Sequence, residues 1–270
     1  MTKHFAPINK KILSPTIRQA LSCVGLHCSG SDGSHWQSLF ARMGSTATTL
    51  APDLFGAPVR GHYRGDAPFS LEIEAEPIIE MMTSLPSSVD IVGHSYGGAL
   101  ALHIARARPD LVRSLCLYEP TIFSILNNDN SEDQKLHSEI RSLTRAISNG
   151  IDDGVPDFSA QVFTDFWGGL GAWQALSRDR RAAMVRWIPK APLDFQALLN
   201  EAEPENMLSH AIPTKIIVGS QTHPQTKRIA ELLVSQSRNA ELSVLNGACH
   251  LGPFTFRRKF EMEVLEYLCR

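Results

Sequence analysis

The sequence predicts an α/β fold, in which a mostly parallel sheet carries helices on both of its faces. Short apolar runs that read as buried strands recur along the chain, among them 21–28, 89–92, 112–118 and 214–218. Segments with the 3.6-residue period of amphipathic helices follow these runs, and only between residues 121 and 211 does the pattern become all-helical. Strands that alternate with helices form βαβ units, so the sheet is predicted to be parallel.

In chain order, each element is predicted from its apolar period and its end signals. Before the buried strand at 89–92 we predict a short edge strand at Lys11–Leu13, a buried strand at 21–28, a helix beginning near Trp36, a strand at 48–54 and a helix at 70–85 that ends before Pro86. After this strand and the helix that follows it, we predict strands at 112–118, 214–218 and 241–245, with helices at 224–235 and 255–269.

Composition excludes several classes of function. The 270 residues are 43% hydrophobic and 20% charged, with a net charge of −2, as in an ordinary globular protein. This balance offers no basic surface for nucleic acid or for an anionic membrane, so the expected partner is a small, neutral or weakly charged molecule. The sequence has no signal-peptide pattern and no run near the ~20 apolar residues of a membrane span, which predicts a cytoplasmic protein. A homodimer remains one option.

Five cysteines occur at positions 23, 28, 116, 249 and 269. Their odd number and the lack of C-x-x-C spacing argue against a disulfide framework and against a structural zinc site. The H-E-x-x-H metal motif and the G-x-x-x-x-G-K-[ST] phosphate loop are also missing from the sequence. We therefore expect reduced thiols, no metal and no cofactor.

A serine motif lies where the period changes from strand to helix. The run from Val89 leads into Gly93-His94-Ser95-Tyr96-Gly97, and a helical stripe follows it. A serine on so sharp a strand-to-helix turn needs neighbours without side chains, because the two backbones nearly touch there. The unpaired N–H groups at the start of the helix could serve an anion that forms beside the serine oxygen, as acyl transfer requires.

With this motif the chain resembles the α/β-hydrolase superfamily over nearly all residues outside 121–211. The resemblance implies that Ser95 is the nucleophile and that the N–H groups of Tyr96 and Ser29 form the oxyanion hole. Cys28 stands where the family usually has glycine, after His27. Serine at this turn excludes the alkyl-enzyme chemistry of dehalogenases and epoxide hydrolases in the superfamily.

The resemblance also implies a general base and an acid. His250 follows the last predicted strand in a loop of small residues, where the family keeps its base. The family's usual aspartate is missing, because the loop 219–224 contains no carboxylate. Glu119, at the end of the strand 112–118, is the candidate replacement, and Pro120 is expected to hold it in an extended conformation. Pairing of Glu119 with an arginine, or orientation of His250 by Gln221 or Thr222, remain alternatives.

The helical stretch 121–211 resembles the family's cap, inserted between two parts of the core, 1–120 and 212–270. Ser131 and Gln134 predict a capping box for a helix that ends near Asn149-Gly150. Further helices are expected at 158–167, 173–187 and 194–201. The residues expected to line a pocket under the cap are His27, Cys28, Trp167, Trp173 and His223, although a cap also needs aromatic residues for its own core.

These features predict a serine hydrolase of the carboxylesterase type. It would cleave a small to medium apolar ester, or a related lactone or thioester, through an acyl-enzyme. Carbon–carbon bond hydrolases, perhydrolases and lyases with the same triad remain open, as does a ligand-binding protein of the same fold with vestigial activity.

Overall fold

The computed structural model describes residues 21–270, so the edge strand predicted at Lys11–Leu13 lies outside the described part. Within residues 21–270 the strands form one parallel sheet of six, in the order β2-β1-β3-β4-β5-β6. The strands are β1 Ser22–Leu26, β2 Thr48–Leu50, β3 Val89–His94, β4 Val112–Tyr118, β5 Thr214–Gly219 and β6 Ala240–Leu245. The predicted fold class is confirmed.

Helices cover both faces of the sheet. They are α1 Gln37–Met43, α2 Leu71–Thr83, α3 Tyr96–Ala107, α4 Ser131–Asp152, α5 Pro156–Gly168, α6 Ala172–Ala175, α7 Arg178–Trp187, α8 Ala191–Leu199, α9 Pro224–Ser235, α10 Gly252–Thr255 and α11 Arg257–Leu268. None of these helices combines the length and the apolar character needed to cross a bilayer.

Adjacent residues of each central strand pack into two different hydrophobic clusters, one on each face of the sheet. In β3, Ile91 packs with α2 and α3, whereas Val92 packs in a second cluster with Trp36 and with Phe260 of α11. Side chains alternate between the two faces of a strand, so a strand buried on both faces needs apolar residues at consecutive positions. This requirement explains the continuous apolar runs that predicted the strands.

Several boundaries differ from the predictions. β2 ends at Leu50, four residues early, and Asp53 instead accepts a hydrogen bond from the Gly33 N–H at 2.8 Å, which holds the turn. The closing helix is divided into α10 and α11 at Phe256.

The helix α4 begins and ends differently from the prediction. Asn130, not Ser131, is its N-cap, and the Asn130 side chain accepts from the N–H groups of Glu132 and Asp133. The helix continues through Gly150 to Asp152, and this glycine meets α5: a Cβ at Gly150 would lie 2.4 Å from Ser159 Oγ. Gly150 is therefore a site of close helix packing and not a stop.

The predicted helix 173–187 is two helices. Leu176 is extended after α6, and the Ser177 side chain accepts a hydrogen bond from the Arg180 N–H at the start of α7. An N-cap serine of this kind satisfies one of the free N–H groups of a new helix.

Candidate active site

Ser95 lies on the turn between β3 and α3. Its φ is 56°, in the left-handed region that non-glycine residues rarely occupy. Gly93 and Gly97 permit the turn: a Cβ at Gly93 would lie 2.7 Å from Gly97 O, and one at Gly97 would lie 2.1 Å from Leu26 O. The backbone contact that the glycine spacing predicted is thus present, and the turn stores strain at a buried serine.

His250 lies beside Ser95, 155 residues away in the sequence. The distance between His250 Nε2 and Ser95 Oγ is 2.9 Å, within hydrogen-bonding range. Two buried side chains hold the loop of His250: His94 Nε2 donates to the His250 carbonyl at 2.9 Å, and the Tyr118 hydroxyl donates to the Cys249 carbonyl at 2.6 Å. His94 therefore supports the loop of His250.

Glu119 lies on the other side of the imidazole ring. His250 Nδ1 donates to Glu119 Oε2 at 2.6 Å, and the carboxylate also accepts from Thr222 Oγ1 at 2.5 Å and from the Gly219 N–H at 2.7 Å. Thr222 thus contacts the carboxylate and not the imidazole. Burial would raise the pKa of Glu119, but the hydrogen bonds from His250, Thr222 and Gly219 outweigh it and lower that pKa. The glutamate is held ionised against the ring.

The backbone at Glu119 differs from the prediction. The residue before a proline was expected to be extended, but φ at Glu119 is 45°, again in the left-handed region. The Glu119 N–H donates to Ile217 O at 3.0 Å, so the residue still pairs with β5 while its chain turns away from the sheet. Strained residues of this kind persist where surrounding contacts fix them.

The end of β1 packs against the start of α3. Gly97 lies against the carbonyl groups of Leu26 and His27, so the loop that contains Ser29 and the first turn of α3 are adjacent. Within residues 21–270 the N–H groups of Ser29 and Tyr96 have no hydrogen-bond acceptor. Two unpaired amides beside the serine are available to an anion.

A small cavity beside Ser95 is lined by both the core and the helical stretch. Its volume is about 10 Å³, close to the space that one water molecule needs. The lining residues are Ser29, Ser95, Thr121, Phe123, Phe163, Trp167, Asp194, Phe195 and Leu198.

Trp167 is the one predicted pocket residue that lines this cavity, and its ring centroid is 4.2 Å from that of His250. His27 and Cys28 are buried but do not line the cavity, and His27 accepts from the Leu54 N–H at 3.0 Å and donates to the Cys28 carbonyl. Trp173 is buried within the helical stretch, and its backbone N–H donates to Asp165 Oδ1 at 2.8 Å. His223 stacks on Phe166 at 4.5 Å.

Comparisons with known proteins identify the family of this chain. The model of the alpha/beta hydrolase family matches residues 23–256. The chain belongs to this family. A lipase, LipV, from Mycobacterium tuberculosis is 37% identical over 73 residues, which are 27% of each chain. A pimeloyl-[acyl-carrier protein] methyl ester esterase from Neisseria meningitidis is 34% identical over 93 residues, 34% of each chain. The chain thus spans about a third, or less, of these relatives.

A solved structure supports the same fold over a longer range. The enol-lactonase from Burkholderia xenovorans LB400 has a TM-score of 0.73 and 15% identity, and the match covers 94% of this chain and 93% of that one. At this identity the likeness concerns the fold alone.

A buried ionic network adjoins the cavity of this alpha/beta hydrolase. Lys190 donates to Asp194 and, at 3.1 Å, to Glu74, which also accepts from the Tyr96 hydroxyl at 3.1 Å. Burial raises the pKa of Asp194 to about 6, although Lys190 and Ser29 oppose the shift. The pKa of Lys190 would fall on burial, but Asp194 and Glu74 raise it. No sequence signal indicated this network, since its members lie inside or beside helices.

Within residues 21–270, one group of side chains has ligand atoms close enough to be considered for a metal. Atoms of Cys28, His35 and His94 lie within 4.8 Å of one another, and Nδ1 of both histidines has no hydrogen-bond partner in this part of the chain. Binding would require the thiolate form of Cys28, yet burial raises the pKa of that thiol to about 12. We assign this cluster no cofactor and regard it as the packing behind His94.

Proposed function

We propose that the protein is a serine esterase that cleaves a small to medium apolar ester, or a related lactone or thioester, through an acyl-enzyme. One observation carries the proposal: Ser95 Oγ, the two ring nitrogens of His250 and the Glu119 carboxylate form a continuous hydrogen-bonded series, with steps of 2.9 and 2.6 Å. A serine becomes a useful nucleophile when an adjacent base accepts its proton and a third group orients that base.

The proposed reaction has two halves. Ser95 Oγ attacks the ester carbonyl while its proton passes to His250 Nε2, and Glu119 stabilises the imidazolium. The N–H groups of Tyr96 and Ser29 stabilise the oxyanion of the tetrahedral intermediate, and His250 returns the proton to the departing alcohol. A water molecule, deprotonated by the same His250, then releases the acid from Ser95.

The lining of the cavity supports an apolar substrate. Phe123, Phe163, Trp167, Phe195 and Leu198 surround the space beside Ser95, and apolar walls of this kind bind acyl or alcohol chains. Because the space holds about one water molecule, side chains of α5 or α8 must move to admit an ester. The matched lipase and methyl ester esterase support ester cleavage as the reaction class.

A fluorophosphonate probe tests the proposal. We expect it to label the wild type and Ser124→Ala but not Ser95→Ala, and we expect the same pattern of turnover in a chain-length series of p-nitrophenyl esters. Ser124→Ala is the matched control, because Ser124 is also buried but does not line the cavity. Labelling of Ser95→Ala at the wild-type rate, or no labelling of the wild type, would contradict the proposal.

A further inference from the structure

Among the described residues that line the cavity beside Ser95, Asp194 is the one with an ionisable side chain. The other lining residues are aromatic, aliphatic or hydroxyl-bearing, and Asp194 is only 3% exposed. Burial of a charge costs free energy unless partners compensate it, and an apolar residue at this position would fill the same space without that cost. The catalytic steps proposed above do not use it.

The partners of Asp194 hold its carboxylate in place without occupying it fully. Ser29 Oγ donates to Asp194 Oδ2 at 2.6 Å, and Lys190 donates to Oδ1. An ionised carboxylate can accept about four hydrogen bonds, so acceptor positions remain for a group in the cavity. Ser29 also supplies one of the two unpaired N–H groups, which places Asp194 close to the reacting atoms.

The network as a whole is negative on the cavity side. It contains two carboxylates, Asp194 and Glu74, and one ammonium, Lys190, so with all three ionised it has a net charge of −1. Lys190 is 1% exposed, and its Nζ lies 4.2 Å from the centroid of the Phe69 ring and 4.9 Å from that of Tyr96. The ammonium is thus enclosed behind Asp194, and an arriving ligand meets the carboxylate.

We propose that Asp194 is a specificity-determining residue, which excludes esters whose acyl or alcohol part carries an anionic group and favours those that carry a hydroxyl or an ammonium. This inference rests on the proposed esterase function. An anionic substituent in this cavity would face a like charge at low effective dielectric, whereas a hydroxyl or ammonium would donate to the free acceptor positions of Asp194. An apolar substituent would lack both effects and fall between the two.

Two matched series of esters test the inference. In one, the far end of the acyl chain carries a methyl, hydroxyl, ammonium or carboxylate group; in the other, the far end of the alcohol does. We expect the wild type to rank hydroxyl and ammonium above methyl, and methyl above carboxylate, in kcat/KM for at least one series. Asp194→Asn should raise the carboxylate-to-methyl ratio in that series by about tenfold or more, since one unit charge is removed from the cavity wall.

Glu74→Gln is the matched control. It removes one carboxylate from the same lysine, but Glu74 does not line the cavity, so the ratio should rise clearly less than in Asp194→Asn. Asp194→Ser, also uncharged, serves as a second variant if Asp194→Asn does not fold. A wild type that cleaves carboxylate and methyl esters equally in both series would overturn the inference, as would an unchanged ratio in the folded variant.

These outcomes are distinguishable from failure of the proposed function. If Ser95 is not a nucleophile, no ester of either series is cleaved and the fluorophosphonate does not react. If Ser95 is the nucleophile but Asp194 does not select substrates, esters are cleaved with a ranking that Asp194→Asn leaves in place.

Discussion

The two walls of the cavity over Ser95 are built differently. The core side contributes residues that follow strands: Ser29 in the loop after β1 and Ser95 after β3 line the cavity, and Glu119, which holds His250 beside Ser95, follows β4. The opposite wall consists of residues within helices, such as Trp167 in α5 and Asp194 in α8. Residues that follow parallel strands gather at one edge of a sheet whatever their separation in sequence, whereas residues inside helices gather only when the helices pack in a particular way.

The two walls also differ in the partners of their buried carboxylates. On the core side Glu119 is ionised against a histidine that accepts a proton during the proposed reaction. On the other side Asp194 pairs with Lys190, which the proposed reaction does not use, and Lys190 also reaches Glu74 of α2, 116 residues away. The first pair is expected to govern rate, and the second to govern stability and substrate choice.

The largest expected effect is on the core wall. Glu119→Gln keeps the size of the side chain but removes the charge that stabilises the imidazolium, so kcat/KM for a p-nitrophenyl ester should fall by about three to four orders of magnitude. Circular dichroism should show an intact fold. An unchanged rate would transfer the acid role to another residue.

A second buried Glu–His pair supplies the control for Glu119→Gln. Glu201 lies 2.7 Å from His103 Nδ1, and Glu201 is 8% exposed, but neither residue lines the cavity. Glu201→Gln should therefore leave the rate near that of the wild type. A comparable loss in both variants would mean that the effect of Glu119→Gln came from the loss of any buried pair.

The core wall was largely predictable from sequence. The G-x-S-x-G spacing indicated the contact between β3 and α3, and the strand 112–118 and the helix 224–235 were predicted with the bounds that the structure shows. The resemblance implied an acid, and Glu119 was the candidate because it follows the strand 112–118 at the sheet edge that holds Ser95, while 219–224 contains no acid. Its left-handed backbone did not follow, because the preference set by Pro120 is local and is overridden by the hydrogen bonds of the Glu119 carboxylate and N–H.

The opposite wall was less predictable. Asp194 reads in sequence as a solvated helical residue, since nothing local shows that Lys190 and Ser29 will enclose it. The aromatic residues of 121–211 were correctly associated with helices, yet Trp167 lines the cavity while Trp173 packs within the helical stretch. Which of these aromatic residues lines the cavity depends on how α5 and α6 pack against the core. No single position in the sequence determines that packing.

The next effect is expected where the two walls are joined. Lys190→Met keeps an unbranched side chain but leaves Glu74 and Asp194 without their shared cation, which should lower the free energy of unfolding by about 3–5 kcal/mol. Urea denaturation measures it. Lys227→Met, at an exposed position of α9, should change it by no more than about 0.5 kcal/mol. Equal stability of the two variants would mean that the network is not buried as the structure shows.

The smallest of the three effects is a dependence on pH. The pKa of Asp194 is about 6 in the folded protein and about 3.9 in an unfolded chain, so the folded state binds this proton more tightly. As pH rises from about 4 to about 6, the wild type should lose about 3 kcal/mol of unfolding free energy relative to Asp194→Asn, with no further change above that range. Paired urea titrations across these pH values measure the difference.

A second buried aspartate should show the opposite sign. Asp133 of α4 accepts two hydrogen bonds from Arg228, and these lower its pKa. Its contribution is therefore present above about pH 4 and lost as pH falls below that value, so the wild type should lose stability relative to Asp133→Asn on acidification. Both residues are aspartates buried in the helical stretch. If both variants shifted stability in the same direction with pH, the raised pKa of Asp194 could not be attributed to its place beside the cavity.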